Sequence, residues 1–197
     1  MTGVRRFAQW GLWFGGALIL LAALLIGIDV LMRKFLARSI GGADELAGYA
    51  LAIGTTWGLG AALLDRAHIR IDSLYVLFPQ KLRLALDALA LVLLVGFFAL
   101  IAWHGWGVVS QSWTSGSRSQ SALETPTVLP QAIWIAGLVV FVCVGAFLLV
   151  TALRLGLAGD LHGMAQLIST RSAEEEVEDE IRDLKDRQER TDAREEG

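Results

Sequence analysis

The chain has 197 residues, 54% of them hydrophobic, and a mean hydropathy of +0.53, above the roughly 45–50% apolar content of an average soluble domain. Its net charge of −3 says little about partners, because the acid is concentrated at the C-terminus, and no nucleic-acid partner is expected. A single cysteine, Cys143, excludes an internal disulfide and reads as a packing residue.

The apolar excess is gathered in four blocks, 7–28, 46–64, 88–109 and 128–153. Each is long enough to cross a hydrocarbon core of ~30 Å at helical rise. The first, second and fourth carry no charge, and the third only His104. The runs are continuous and do not alternate, which argues for helices, whose backbone groups are satisfied internally, and against barrel strands. The expected fold is an all-α integral membrane protein with four transmembrane helices, short in-plane amphipathic segments and a charged C-terminal helical tail. Residues 1–158 form the four-span membrane domain and 159–197 the cytoplasmic tail.

The opening "MTGVRRFAQW" leads into an apolar stretch too long for a signal-peptide core, with no A-x-A-like site after it. It is read as a retained first span, with Trp10 and Trp13 at the membrane boundary. At its far end Asp29 and Arg33 are four apart and face each other on a helix. Asp29 is expected to snorkel to the interface beside that arginine. Gly41–Gly42 break the helix, Asp44 is placed to cap the next, and Glu45 favours its positive end.

In the second span Ala50, Gly54, Gly58 and Ala62 recur every fourth residue. Small side chains at that spacing make a smooth stripe where another helix, of this chain or a partner, approaches closely. Trp57, near mid-depth, reads as a packing residue. The stretch "DRAHIRIDSLYVLFPQKLR" then suits an amphipathic helix lying in the interface plane, with Pro79 at the start of the third helix. His68 and Asp72, four apart, read as a brace for that segment, since a metal site needs more ligands.

Trp103, Trp106 and Trp113 close the third span and Trp134 starts the fourth. The polar "SQSWTSGSRSQSALETPTVLP" reads as an exposed loop. The fourth span has almost no polar face, which suits extensive lipid contact. From about Ser172 the tail is expected to form a solvated helix, with a capping box to Glu175 and acid-to-base pairs Glu178–Arg182, Asp183–Arg187 and Asp186–Arg190. Counting Lys and Arg near the span ends gives seven on the N-terminal side (Arg5, Arg6, Arg66, Arg70, Lys81, Arg83, Arg154) against four (Arg33, Lys34, Arg38, Arg118). That places both termini in the cytoplasm.

The run "DVLMRKF…GGADELAGYALAIGTTWGLGAALLDRAHIRIDSLYVLFP" resembles the small membrane subunit of tripartite ATP-independent periplasmic (TRAP) transporters. The resemblance rests on Asp-Val…Arg ending span one, an acidic pair opening span two, a Trp among glycines, His-Ile-x-x-Asp, and a Pro before span three. "ETPTVLPQAIW" before span four is similar too, and the likeness covers residues 7–155. Asp44 stands where the family has the first Glu of the pair, an exchange that keeps the charge. The resemblance implies a bacterial inner-membrane protein that is not an enzyme and holds no cofactor. Its implied partners are a large TRAP membrane subunit, which carries substrate and Na⁺, and a periplasmic solute-binding protein that delivers an organic acid. The small subunit is then a fixed scaffold. Two alternatives compete. A haem-binding anchor of an electron-transfer enzyme needs axial ligands facing one pocket, yet His68 and His104 are expected at opposite faces. A self-sufficient transporter calls for broken spans or an inverted repeat, and neither is visible.

Overall fold

The structure, a computed structural model, describes residues 2–65 and 78–168 together with Ile181, Leu184, Lys185, Arg187 and Gln188. Within these residues the chain forms helices α1 (Thr2–Leu36), α2 (Ala43–Leu64), α3 (Gln80–Ser115), α4 (Val128–Leu157) and α5 (Leu161–Ile168). Among the described residues, four of the helices are long and apolar enough to cross a membrane. They outrun the apolar blocks at most ends, because a helix continues past the hydrocarbon boundary until a local signal stops it. The 35 residues of α1 extend about 52 Å at helical rise.

The stop signals are backbone ones. Beyond α1, Ala37 takes a positive φ of 50°, a left-handed residue of the kind that ends helices, and the Arg38 N–H points back to the Met32 carbonyl at 3.5 Å. α3 ends at Gly116, φ 61°. Pro79 is the N-cap of α3, with φ −62° and ψ 147°, and its carbonyl accepts the Leu82 and Arg83 N–H groups at 2.9 and 3.1 Å. At α2 the structure departs from expectation. The N-cap is Gly42, with φ 87° and no side-chain cap, and Asp44 is the second residue inside the helix. Its carboxylate lies past the position from which a cap could reach back to the first free N–H groups.

The helices lie in the order α1, α2, α4, α3: α1 packs on α2, α2 also on α4, and α4 on α3, while α5 folds against α4 and α3. Leu63 of α2 meets Leu91 and Val95 of α3 and Phe141, Val144 and Leu148 of α4 in the main core. Phe98 and Phe141 meet at 4.7 Å between centroids in a T-shaped pair, a favoured geometry for aromatic quadrupoles. A smaller cluster joins Leu84, Ala152 and Met164 of α5. The segment after residue 158 therefore begins with a turn of helix packed on the bundle. Of the expected tail, Ile181, Leu184, Lys185, Arg187 and Gln188 are helical. The Ser172 start and the three ion pairs lie outside the described residues, as does the expected in-plane segment with His68 and Asp72.

The fourth span keeps a large exposed apolar face, with Leu129, Val139, Val150 and Leu153 about half exposed, yet α4 is also the central helix: 39% of its most apolar window is buried, against 11% for α1. A helix apolar on all sides gives no sign of which face meets protein and which meets lipid. What places α4 centrally is its small residues. Gly137 lies against Thr56 and Trp57 of α2, and Gly145 against Val95 of α3.

Candidate functional site

The polar groups of the bundle converge at one end, where α1 stops, α2 starts and the α3–α4 connection folds over. Asp29 is 2% exposed and does not snorkel to the interface. Its Oδ1 accepts the Ser39 hydroxyl at 2.9 Å and the Ile40 N–H at 2.7 Å, and its Oδ2 meets Arg33 Nη2 at 2.6 Å. Both oxygens are thus satisfied inside the protein, which removes the reason to seek water. The left-handed turn at Ala37 reverses the chain and brings Ser39 and Ile40 back over Asp29. Arg33 also reaches Asp44 Oδ2 at 3.6 Å, linking the last turn of α1 to the first of α2. With Asp44 well exposed this second contact is a weak tether.

Glu45 organises the other connection. Its Oε2 accepts the Ser119 hydroxyl at 2.9 Å and a short hydrogen bond from the Ser121 hydroxyl. Those serine oxygens in turn accept the Thr125 N–H and the Leu123 N–H, each at 3.1 Å. Tyr49, one turn along α2, and Thr125 also face the carboxylate. The loop closes through Ser119 N–H to Thr125 carbonyl, 2.9 Å, and Thr127 N–H to Ser117 carbonyl, 3.1 Å. Leu123 seats on Gly42, where any Cβ would overlap its side chain. Gly42 serves twice here, through its positive φ and through this close approach. The segment expected as an exposed loop is therefore, in part, folded onto α2.

A second set of contacts runs along α2. Gly54 meets Gly15 of α1 backbone to backbone, and Gly58 lies near Leu12, so the small-residue stripe faces α1 of the same chain at these two positions. Ala50 and Ala62, at its ends, are half-buried. Trp57 sits among Phe7, Trp10 and Phe14 of α1, with centroids 5.7–6.3 Å away. Its Nε1–H donates to the Ile133 carbonyl of α4 at 3.0 Å. One side chain thus ties three helices together.

Of the residues singled out in the sequence, Asp29, Arg33, Asp44 and Glu45 come together at one end, and Gly54, Trp57 and Gly58 line the α1–α2 seam. Pro79 lies apart, at the start of α3. The sequence reading missed Gly11 and Gly15, which carry the α1 side of the seam, and Ser39, Ser119 and Ser121, whose bonding depends on loop geometry. It also missed Asp87, 1% exposed within α3, because the apolar block was taken to begin one residue later. Neither Asp87 nor Arg83, one turn before it, lacks a partner. Their i, i+4 spacing was the available signal.

Chemically, this end is a set of braces. Each carboxylate accepts from hydroxyls, N–H groups or an arginine belonging to a different part of the chain. Among the described residues no three His, Cys, Asp or Glu side chains gather where a metal ion could be held. His104 is exposed late in α3, and His162 is exposed in α5, beside Gln166 Nε2 at 3.1 Å, at the other end of the bundle.

An alanine at Asp29 is expected to free the α1–α2 connection. The Ile40 N–H and Ser39 hydroxyl lose their acceptor, and each lost bond lowers protection by roughly a factor of five. Hydrogen exchange at residues 38–42 measures this; exchange matching the parent would show that Asp29 is not the brace.

Four membrane-length helices, with self-bonded turns between α1 and α2 and between α3 and α4, define a multi-pass integral membrane protein. Residues 10–155 match the model of the DctQ component of tripartite ATP-independent periplasmic transporters. The match spans most of the chain, and the chain belongs to that family: it is a small permease component of a TRAP transporter. No curated protein and no solved structure matches the chain.

Proposed function

We propose that the chain is the fixed scaffold of a Na⁺-driven TRAP transporter that imports an organic acid. It pairs with a large membrane subunit that moves the substrate and works with a periplasmic solute-binding protein. The observation that carries the scaffold reading is the bracing of Asp29 and Glu45. Ionisable groups in a membrane protein commonly mark a substrate or ion pathway, but both oxygens of Asp29 and the Oε2 of Glu45 are engaged by the chain's own groups. A subunit locked in this way suits a static support beside a moving partner. The proposed setting is the bacterial inner membrane with both termini cytoplasmic, which the seven-to-four cation bias supports. The braced end then faces the periplasm, on the side from which a binding protein would deliver its cargo.

The test is uptake in proteoliposomes. With large subunit, binding protein and an inward Na⁺ gradient all supplied, organic-acid uptake is expected, and omitting any one should abolish it. Flux through this chain alone would overturn the scaffold reading, and undiminished uptake with K⁺ in place of Na⁺ would overturn the coupling.

A further inference from the structure

Where the first turns of α1 lean on α4 they leave an apolar groove of about 420 Å³, lined by Gly3, Val4 and Phe7 from α1 and by residues such as Val140, Cys143 and Phe147 from α4. The groove follows one stripe of α4. Cys143, Phe147, Thr151 and Arg154 are spaced four, four and three apart, so they share a helix face. Arg154 is exposed and stands about two turns, roughly 10 Å, beyond Phe147. Val4 lines the groove with Val144 and Phe147, and α1 begins only two residues before it, so the stripe of α4 continues past the start of α1 toward Arg154. On α1 the exposed Arg6 flanks the lining residues Gly3 and Phe7. Among the described residues neither Arg6 nor Arg154 forms an ion pair. Of the nearby acids, Asp160 is engaged with the Gly163 N–H at 2.8 Å, and Asp65 ends α2.

An apolar groove with one cation beside its lining in the first turns of α1 and another beyond it in the last turn of α4 has the chemistry of one molecule class. We propose that this groove binds a single anionic phospholipid, with an acyl chain along Val4, Phe7, Val140 and Phe147 and the phosphate between Arg6 and Arg154. Basic residues bordering a crevice between membrane helices hold anionic headgroups in just this way. The apolar wall sets the position of the chain and the two guanidiniums select the charge. The bound lipid would fill the gap that α1 leaves beside α4, where no side chain of the described residues enters. The inference rests on the chain spanning a membrane and is independent of what the transporter carries.

Cys143, the single cysteine, lines the groove and gives the readout. The full chain, labelled there with bimane, is placed in nanodiscs of phosphatidylcholine containing brominated phosphatidylglycerol or, separately, brominated phosphatidylcholine. The anionic lipid is expected to quench at a lower mole fraction, by roughly fivefold for each cation engaged. The paired R6Q and R154Q substitutions should remove that preference and leave contact quenching equal for the two lipids. Native mass spectrometry of the unlabelled chain should show one retained phosphatidylglycerol, lost on the paired R6Q and R154Q substitutions. Equal quenching by both lipids in the parent would mean bulk contact only and would overturn the proposal. So would absence of quenching by either lipid when the large membrane subunit is co-purified, since a protein would then occupy the groove.

Discussion

Leucine at Gly54 is expected to drive α1 off α2 and to abolish recovery of folded protein. A Cβ on Gly54 would stand 2.8 Å from the Gly15 carbonyl oxygen and 2.8 Å from Ile19 Cγ1, and a Cβ on Gly15 would overlap the Gly54 carbonyl. Ile19 could turn aside, but a backbone oxygen moves only if its helix moves. Overpacking a well-filled interior costs about 1–3 kcal/mol, and an obstacle of backbone on both sides puts Gly54 at or above the top of that range. Because α1 is held mainly through α2, no other contact restores it once this seam opens, and the aromatic cluster around Trp57 is lost as well. The neighbouring glycines calibrate the result. A Cβ on Gly58 meets only Leu12 Cδ1 at 3.7 Å, ordinary contact, and a Cβ on Gly16 meets nothing within 4 Å. G58L should be mild and G16L close to neutral. Monodisperse yield in detergent and thermal midpoint by size-exclusion chromatography measure the series. Equal losses at Gly54 and Gly58 would mean that stripe membership matters rather than the backbone crossing; no loss at Gly54 would refute the close approach.

That contrast shows where the sequence was informative. The four spans were legible because lipid leaves the backbone no alternative to a helix, so length and polarity alone identify them. The stripe on α2 was legible for the same sort of reason, since four small residues at regular spacing are conspicuous. Its counterpart was not. Gly15 and Gly16 sit side by side in α1, and only the rotation of that helix, set in three dimensions, turns Gly15 inward. The central place of α4 was not legible because its composition is apolar throughout, and hydropathy cannot separate the face on lipid from the face on protein.

The polar end tells a similar story. The spacing of Asp29 and Arg33 announced their pairing, which the structure realises at 2.6 Å. The other two acceptor contacts of Asp29 come from Ser39 and Ile40, whose return over the helix depends on the positive φ of Ala37. An alanine gives no warning of a left-handed turn, as a glycine would have. The serine-rich connection was taken for a solvated loop because its composition is that of one. Yet Ser119 and Ser121 each accept a backbone N–H and donate to Glu45, a pattern that exists only once the loop lies over α2.

Replacement of Glu45 by alanine should loosen the whole α3–α4 connection without unfolding the helices. Glu45 is the common acceptor for Ser119 and Ser121, and those serines hold the Thr125 and Leu123 amides. Removing it leaves two hydroxyls to find other acceptors and frees the rotamers that position two amides. Charge-assisted bonds of this kind are roughly twice as strong as neutral ones, so E45Q should fall between parent and alanine: the amide oxygen keeps the acceptor but not the charge. The effect should appear as faster hydrogen exchange at Leu123 and Thr125, by about a factor of five for each bond lost. Exchange in α4 beyond the first turns should stay unchanged. Because the two serines and Glu45 act as one unit, S119A with S121A should reproduce most of the alanine effect, and adding E45A to that pair should add little. Additive losses, or parental exchange in E45A, would mean that the loop holds itself through the Ser119–Thr125 and Ser117–Thr127 backbone bonds. Should the scaffold role hold, E45A transporters would show lower maximal uptake with an unaltered substrate KM, because the support is loosened while the substrate pocket, in the large subunit, is untouched.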